Sequence, residues 1–433
     1  MSGKLFLYCT IIVLFILSFI YRKKIYQFFK GSPYLLCWAL MFVSNLGFSP
    51  RVQYTTRMLS LLFSWTVILF YDHGIIKVER NNAPFFLYSS YLTFGLLSCF
   101  YSIRMIQSFV KIVELFTDLI IITKLYQLFS RNNNLKKTID LTVYLCFILL
   151  SISLVGFFLY PSYFANTGSQ ASKSVLGIRL SNGFLGANKA SALAAFCLIW
   201  LLILNSKSNL LHYVMLFCCL TVMFFSQSRA TLILLPIIIF FKIFTFSQKK
   251  YSYIYLFSYI FLVLILICTG IKYKDNIYQY LLRGQSNEEV MNGTGRLVMW
   301  EMSRDFISKR PFLGYGFGVG GELVGEKYYG VATVHNGIYE TLLGTGIIGL
   351  FLLSLLFVYV SYIIIFNLKI ARLQNNVADI LIYFYFIIRT VTSLGIANWH
   401  SPELMIWLLF VFSINKTKSF QMAYQQTTNN VFI

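Results

Sequence analysis

RPFLGYGFGVGGELVGEKYYGVATVHNGIYETLLGTGIIG, residues 310–349, joins a glycine-dense polar loop to an apolar run that continues to residue 366. Crossing a bilayer takes about 20 mostly apolar residues in a helix, and the run over 337–366 is long enough. His335 and Asn336 close the loop; nine residues follow, then Gly346, then two more residues and Gly349. Histidine is the side chain whose ordinary pKa lies nearest neutrality. One such group at the mouth of a membrane helix, with Glu340 on the next turn and arginine-rich stretches before it, is a candidate acid or base.

Composition sets the class. The chain has 433 residues, 58% of them hydrophobic and 18% aromatic, and only 12% charged, against about 25% charged in a soluble domain. The formal net charge of +21 raises nucleic acid as a partner. Lys and Arg are dispersed through short connections, however, with no basic helix or dense tract among them, and the reading is no nucleic acid. All eight Cys fall in or beside apolar runs, which argues against disulfides and against a Cys/His metal site; no metal and no cofactor are expected.

Apolar runs fall near 5–21, 33–49, 58–72, 84–103, 109–129, 139–160, 188–205, 211–226, 230–246, 252–270, 337–366, 378–395 and 402–415. The expectation is an all-α polytopic membrane protein with roughly 12–14 transmembrane helices and one large extracytoplasmic loop containing short helices. Residues 1–160 form the N-terminal helices, and 161–270 carry further helices with a loop over 161–187. Residues 271–336 form the large loop, 337–415 the C-terminal helices and 416–433 a cytoplasmic tail. The first run lacks a small-residue cleavage pattern and reads as a retained anchor. Short basic connections at 132–138, 207, 249–250, 369–372 and 416–418 belong in the cytoplasm by the positive-inside rule. Alternation then puts 161–187, 227–229, 271–336 and 396–401 outside. Within the large loop, Thr294 to Lys309 reads as a helix with Leu297, Trp300, Met302, Phe306 and Ile307 on its apolar side, stopped by Pro311, with Trp300 as an interfacial anchor.

Four short stretches carry a resemblance. His335-Asn336 with Gly346 and Gly349 is similar to the signature of the O-antigen ligase/polymerase superfamily of bacterial membrane glycosyltransferases. Ser226-Gln-Ser-Arg229-Ala-Thr, Gly295-Arg296-Leu-Val-Met-Trp300 and Gly183-Phe-Leu-Gly186-Ala-Asn188 stand in the order that superfamily shows. The resemblance spans roughly residues 180–350. It implies transfer from an undecaprenyl-pyrophosphate-linked oligosaccharide without a metal, in the bacterial inner (cytoplasmic) membrane, with the site on the extracytoplasmic face. Membrane lipid is a second partner, and a chain-length regulator is a further one that the resemblance leaves open.

The same resemblance implies His335, Arg229 and Arg296 as catalytic residues. Arg179, Asn188, Arg310, Asn336 and Glu340 are the substrate-binding candidates. By residue chemistry alone, Arg229 is an interfacial arginine snorkelling to headgroups. A guanidinium can also hold two pyrophosphate oxygens at once. Arg296 sits near a helix N-terminus, where a cation opposes the helix dipole, and this hints at a bound anion. Arg304 and Lys309, like Arg179 and Arg310, are each most simply solvated loop charges. His400 reads as a packed histidine. The formal GxGxxG at 316, 318 and 321 lacks the strand-and-helix setting of a dinucleotide site, and its glycines are expected to let the backbone approach a sugar or phosphate. Intramembrane Glu114, Asp118, Lys124, Lys242 and Arg389 are costly in lipid. For Glu114 and Asp118 the preferred reading is structural pairing with Lys124, Arg104 or Lys111, ahead of a proton relay in a transporter.

The boxes describe a donor site, so the acceptor is open. An O-antigen or polysaccharide polymerase, extending a lipid-linked repeat unit, is preferred over an O-antigen ligase acting on lipid A-core. A flippase or exporter of lipid-linked oligosaccharide is the non-enzymatic alternative.

Overall fold

The computed structural model describes residues 33–44, 50–70, 82–130, 135–166, 179–180, 186–204, 210–246, 296–328, 334–370, 373–392 and 400–414. They are almost wholly helical: α1 (Pro33–Ser44), α2 (Pro50–Phe70), α3 (Ala83–Ser98), α4 (Met105–Ser130), α5 (Leu135–Leu159), α6 (Ala187–Ile199), α7 (Leu210–Ser226), α8 (Arg229–Phe246), α9 (Arg296–Lys309), α10 (Gly320–Tyr328), α11 (Gly337–Ile370), α12 (Leu373–Thr392) and α13 (Pro402–Ile414). A two-residue ribbon, β1 (Ala165–Asn166) with β2 (Arg179–Leu180), pairs antiparallel, Asn166 opposite Arg179. The all-α polytopic expectation holds. Ala83–Tyr101, Thr138–Leu159 and Gly337–Phe366 are each long and apolar enough to cross a membrane, and five shorter apolar helices stand beside them. The expected runs at 5–21 and 252–270 lie outside the described residues, as do 281–295.

Helix α11 packs along α3 and α12 and is broken near its start. Gly346 has φ 66° and ψ −164°, which opens the turn, so the carbonyls of Leu343 and Gly344 and the N–H groups of Ile347 and Ile348 lose their helical partners. A span cannot leave four such groups unpaired in an apolar surround. The glycine loop supplies all four. Tyr315 N–H donates to Leu343 O (2.8 Å) and Gly316 N–H to Gly344 O (2.9 Å), while Ile347 N–H donates to Pro311 O (2.8 Å) and Ile348 N–H to Phe312 O (3.5 Å). Backbone meets backbone at this contact. A Cβ on Gly346 would overlap the Phe312 carbonyl, and one on Gly314 would overlap Gly344. The close approach that these glycines permit is thus to α11, where a sugar or phosphate was expected.

The loop helices rest on this joint. Met302, Phe306 and Ile307 of α9 pack with Tyr339 on the buried cluster Val324, Val334 and Leu343. Helix α9 begins at Arg296 and stops at Lys309, ahead of Pro311. Leu297, expected on its apolar side, is exposed, and Met299 and Ser303 are the buried positions. Trp300 turns inward where an interfacial anchor was expected, stacking on Tyr339 with ring centres 5.8 Å apart. Its Nε1 donates to Val334 O (3.0 Å).

Buried charge is paired across the bundle, with partners other than those expected. Glu114 pairs with Arg57, and Asp118 Oδ2 lies 2.6 Å from His400 Nδ1. Arg104 and Lys111 pair instead with Glu322 of α10, at 2.8 and 3.0 Å. Partners on one helix are the ones its spacing suggests, whereas these come from distant segments that the fold brings alongside.

Gly346→Ala combines a left-handed φ with an overlap against Phe312 O, so it should cost at least about 1–3 kcal/mol. The expected result is a lower unfolding midpoint in detergent and loss of function, while Gly186→Ala, where nothing lies within 4 Å of an added Cβ, should unfold like the wild type.

Candidate functional site

His335 is held at the backbone on both sides. It has φ 54°, a left-handed conformation that costs a non-glycine residue roughly 1–3 kcal/mol and marks functional loops. Before it, Val334 N–H donates to Glu340 Oε1 (2.7 Å) and Val334 O accepts from the Trp300 indole. After it, Asn336 Oδ1 accepts from Ile338 N–H (2.9 Å) and Tyr339 N–H (3.2 Å), capping α11. Asn336 and Glu340 are therefore positioning residues. Glu340 is buried against Gly321, where a Cβ would collide with its carboxylate.

The second strained residue lies in the other box. Gln227, φ 51°, sits in the turn between α7 and α8. Its carboxamide is buried, and neither its oxygen nor its nitrogen has a hydrogen-bond partner among the described residues. Native interiors rarely leave both ends of an amide unpaired. His335 and Gln227 are the only non-glycine residues with positive φ among the described residues, and they stand in two boxes about a hundred residues apart in sequence.

Helix ends bring the boxes together. Arg179 on β2 donates through Nε to Ser226 O (2.8 Å) and through its terminal nitrogen to Asn188 Oδ1 (3.4 Å), which ties the Asn188 and Ser226 boxes to each other. Ser191 of α6 bonds Thr231 of α8 on the same seam. Arg229 opens α8 and Arg296 opens α9. Arg296 feels both Arg229 and Arg389; burial first, and then these two like charges, push its guanidinium below the usual arginine range. Burial lowers Arg229 as well. His335 in turn feels Arg296: burial and that cation hold its imidazole below the ordinary histidine pKa, neutral at pH 7.

Arg389 is the residue that sequence spacing missed. It is buried near the end of α12, and its Nε and a terminal nitrogen donate to Glu403 of α13 at 3.1 and 2.7 Å. Lys189 of α6 lies within electrostatic reach of the same pair. A single arginine inside an apolar run was the available signal, since such charges face the protein interior and mark sites. The result is a cluster of arginines within electrostatic reach of Arg296, with a neutral imidazole beside it. Clustered positive charge attracts an anion, and the imidazole can take a proton.

Other expected residues go elsewhere. Arg310 is exposed, with its guanidinium 5.0 Å from the centre of the Tyr315 ring. Lys309 lies over Phe306 at 5.7 Å, and Arg304 Nε donates to the Tyr339 hydroxyl (3.3 Å). These three cations lie against aromatic side chains of the loop. His400 is fully buried between Asp118 and Met41 O, a packed histidine as expected.

Removing the Arg296 charge leaves the imidazolium of His335 less opposed, so its pKa should rise. In the full-length protein with 15N-labelled histidine, Arg296→Gln should move the His335 titration towards higher pH and leave that of His400 in place. An unmoved His335 titration would mean that the two groups do not feel each other.

Residues 214–354 match the family model described as O-antigen ligase. No curated protein matches the chain. The matched segment runs from α7 into α11, so it contains Arg229, Arg296, His335, Gly346 and Gly349, while Arg179, Asn188 and Arg389 lie outside it. Both the broken helix and the two strained residues fall within the match. Over that segment the chain is similar to the O-antigen ligase family, which supports the resemblance drawn from the His335, Arg229 and Arg296 boxes.

Proposed function

We propose that this protein is a membrane glycosyltransferase which moves a glycan from undecaprenyl pyrophosphate onto a lipid-linked repeat unit, as an O-antigen or polysaccharide polymerase. The observation that carries the reading is the gathering of Arg229, Arg296 and Arg389 beside a neutral His335. In the reaction the acceptor hydroxyl oxygen bonds to the anomeric carbon, the bond from that carbon to the pyrophosphate oxygen breaks, and the electron pair leaves with the pyrophosphate. Negative charge grows on the leaving group, so preorganised guanidiniums stabilise the transition state more than the ground state. The hydroxyl proton passes to His335, which is neutral and able to receive it; the imidazolium beside Arg296 then gives it up readily to water. Two or three guanidiniums neutralise the phosphates, and the proposed mechanism needs no metal.

The boxes lie at helix ends opposite the short basic connections at 132–138, 207 and 369–372, which supports an extracytoplasmic site in the inner membrane. The description of the matching family model favours a second reading, an O-antigen ligase that delivers the same donor to lipid A-core. Both readings use one donor site. A flippase is disfavoured, because it needs cations along the whole path across the membrane.

A gel of surface glycan from a deletion strain separates them. Core carrying a single repeat identifies a polymerase; bare core, with long polymer accumulating on the lipid carrier, identifies a ligase. An unchanged ladder counts against glycosyl transfer. In proteoliposomes, Arg229→Ala and Arg296→Ala should each lower transfer by roughly a hundredfold or more, and His335→Ala by about 10²–10⁴-fold with the donor still retained. Normal transfer in any of the three would remove that residue from the mechanism.

A further inference from the structure

A second cavity lies on the other side of α10 from the His335 loop. It has a volume of about 730 Å³ and runs between α2 and α4, lined by Tyr54, Arg57, Met58, Gln107, Val110 and Glu114 among others. Its cations are matched by carboxylates: Arg57 by Glu114, and Arg104 and Lys111 by Glu322, with Glu326 also taking Arg104. Gln107 donates to Glu322 as well (2.7 Å). This charge balance is the opposite of the arginine cluster, so the cavity is not built for a pyrophosphate.

One group in it is unsatisfied. Glu114 is 1% exposed, and its Oε1 has no hydrogen-bond partner among the described residues. A buried carboxylate oxygen without a donor is destabilising, and an O–H from a ligand would offset that cost. Tyr54, more than half exposed at the mouth, offers an aromatic face, and Gln107 and the paired cations offer N–H donors. The lining is mostly apolar, with Met58, Met105, Ile106 and Val110 beside the carboxylate, amide, guanidinium and aromatic ring, a mix that suits the C–H face and the hydroxyls of an uncharged sugar.

The wall towards the reacting centre is thin. Lys111 Nζ donates to Gly318 O (2.5 Å), and Glu322 sits on α10. The next residue back, Gly321, abuts Glu340, whose Oε1 holds Val334 N–H beside His335. The arginines approach His335 from the α8, α9 and α12 side. We propose that the cavity between α2 and α4 binds the acceptor saccharide, with Glu114 accepting one of its hydroxyl hydrogen bonds. This inference rests on the glycosyl-transfer reading, and it places the acceptor across α10 from the His335 loop.

The test uses the complete chain in proteoliposomes. The donor is a polyprenyl-pyrophosphate-linked repeat unit, and the acceptor is the same oligosaccharide freed of its lipid. Val110→Trp fills the cavity, and Tyr54→Ala removes an exposed ring without threatening the fold. The expected result is an acceptor KM raised about tenfold or more, the loss of one or two hydrogen bonds, with donor retention unchanged. An unaltered KM in both variants overturns the proposal, and so does loss of donor retention, which would assign the cavity to the donor. If the wild type retains donor but transfers nothing, the transfer reading has failed; saturation-transfer NMR of the free oligosaccharide then decides separately. A signal in the wild type that Val110→Trp abolishes upholds the saccharide site, and no signal in the wild type overturns it.

Discussion

Four backbone groups of α11, freed where the helix opens at Gly346, find their partners on the glycine loop 311–316. An unpaired amide costs several kcal/mol in an apolar surround, so the loop cannot leave and the helix cannot straighten without strong penalty. The candidate site hangs on that joint. It fixes where α11 begins and therefore where its cap, Asn336, must stand. It also fixes the glycine loop, whose continuation into α10 brings Gly321 under Glu340. From Glu340 the restraint passes to Val334 and so to His335. A side chain that must meet a proton in flight needs its position set within a fraction of an ångström before substrate arrives. Here the setting comes from hydrogen bonds between the side chains of Glu340, Trp300 and Asn336 and the main chain on either side of His335.

Positive charge is managed in two ways in the same bundle. Around α2, α4 and α10 every cation named above meets a carboxylate, and the pairs link elements far apart in sequence: Arg57 with Glu114, Lys111 with Glu322. Burying such pairs does little for net stability, but breaking one leaves a costly orphan, so they lock which helices may be neighbours. Around Arg296 the charge is of one sign: burial and then Arg389 and Arg229 lower its guanidinium, while Arg389 itself is held by Glu403. A strained His335 and a strained Gln227 with its unpaired carboxamide lie in two of the boxes. Strain and electrostatic repulsion thus coincide, as expected where the fold has given up stability to hold a site ready.

Much of this was legible in the sequence, because much of it is local. Hydropathy marks α3, α5 and α11 as spans, Pro311 marks the end of α9, and the boxes name Arg229, Arg296 and His335. What the sequence hid is relational. Glycine 346 announces an unusual backbone, but only the fold shows that the close neighbour is Phe312 O, not a ligand. Trp300 looks like an interfacial anchor until Tyr339 and Val334 are seen beside it. The partners of Asp118 and Glu114, His400 and Arg57, lie too far off in sequence for helix spacing to suggest. Arg389 was visible as an intramembrane charge, yet its reach to Arg296 depends on how α12 packs against α11 and α8.

The division of charge also bears on order of events. In the proposed reaction, a pyrophosphate bound beside Arg296 would offset the repulsion that this cation imposes on His335, so the imidazole would become a stronger base once donor is bound. Without it, burial and then Arg296 hold the imidazole below its ordinary pKa. Basicity would then rise when there is a glycosyl group to transfer. Such coupling would need no moving part, only an Arg296 field that the donor's own phosphates offset. A rigid, hydrogen-bonded His335 loop is the geometry that lets this electrostatic change, and not a conformational one, set the timing of transfer.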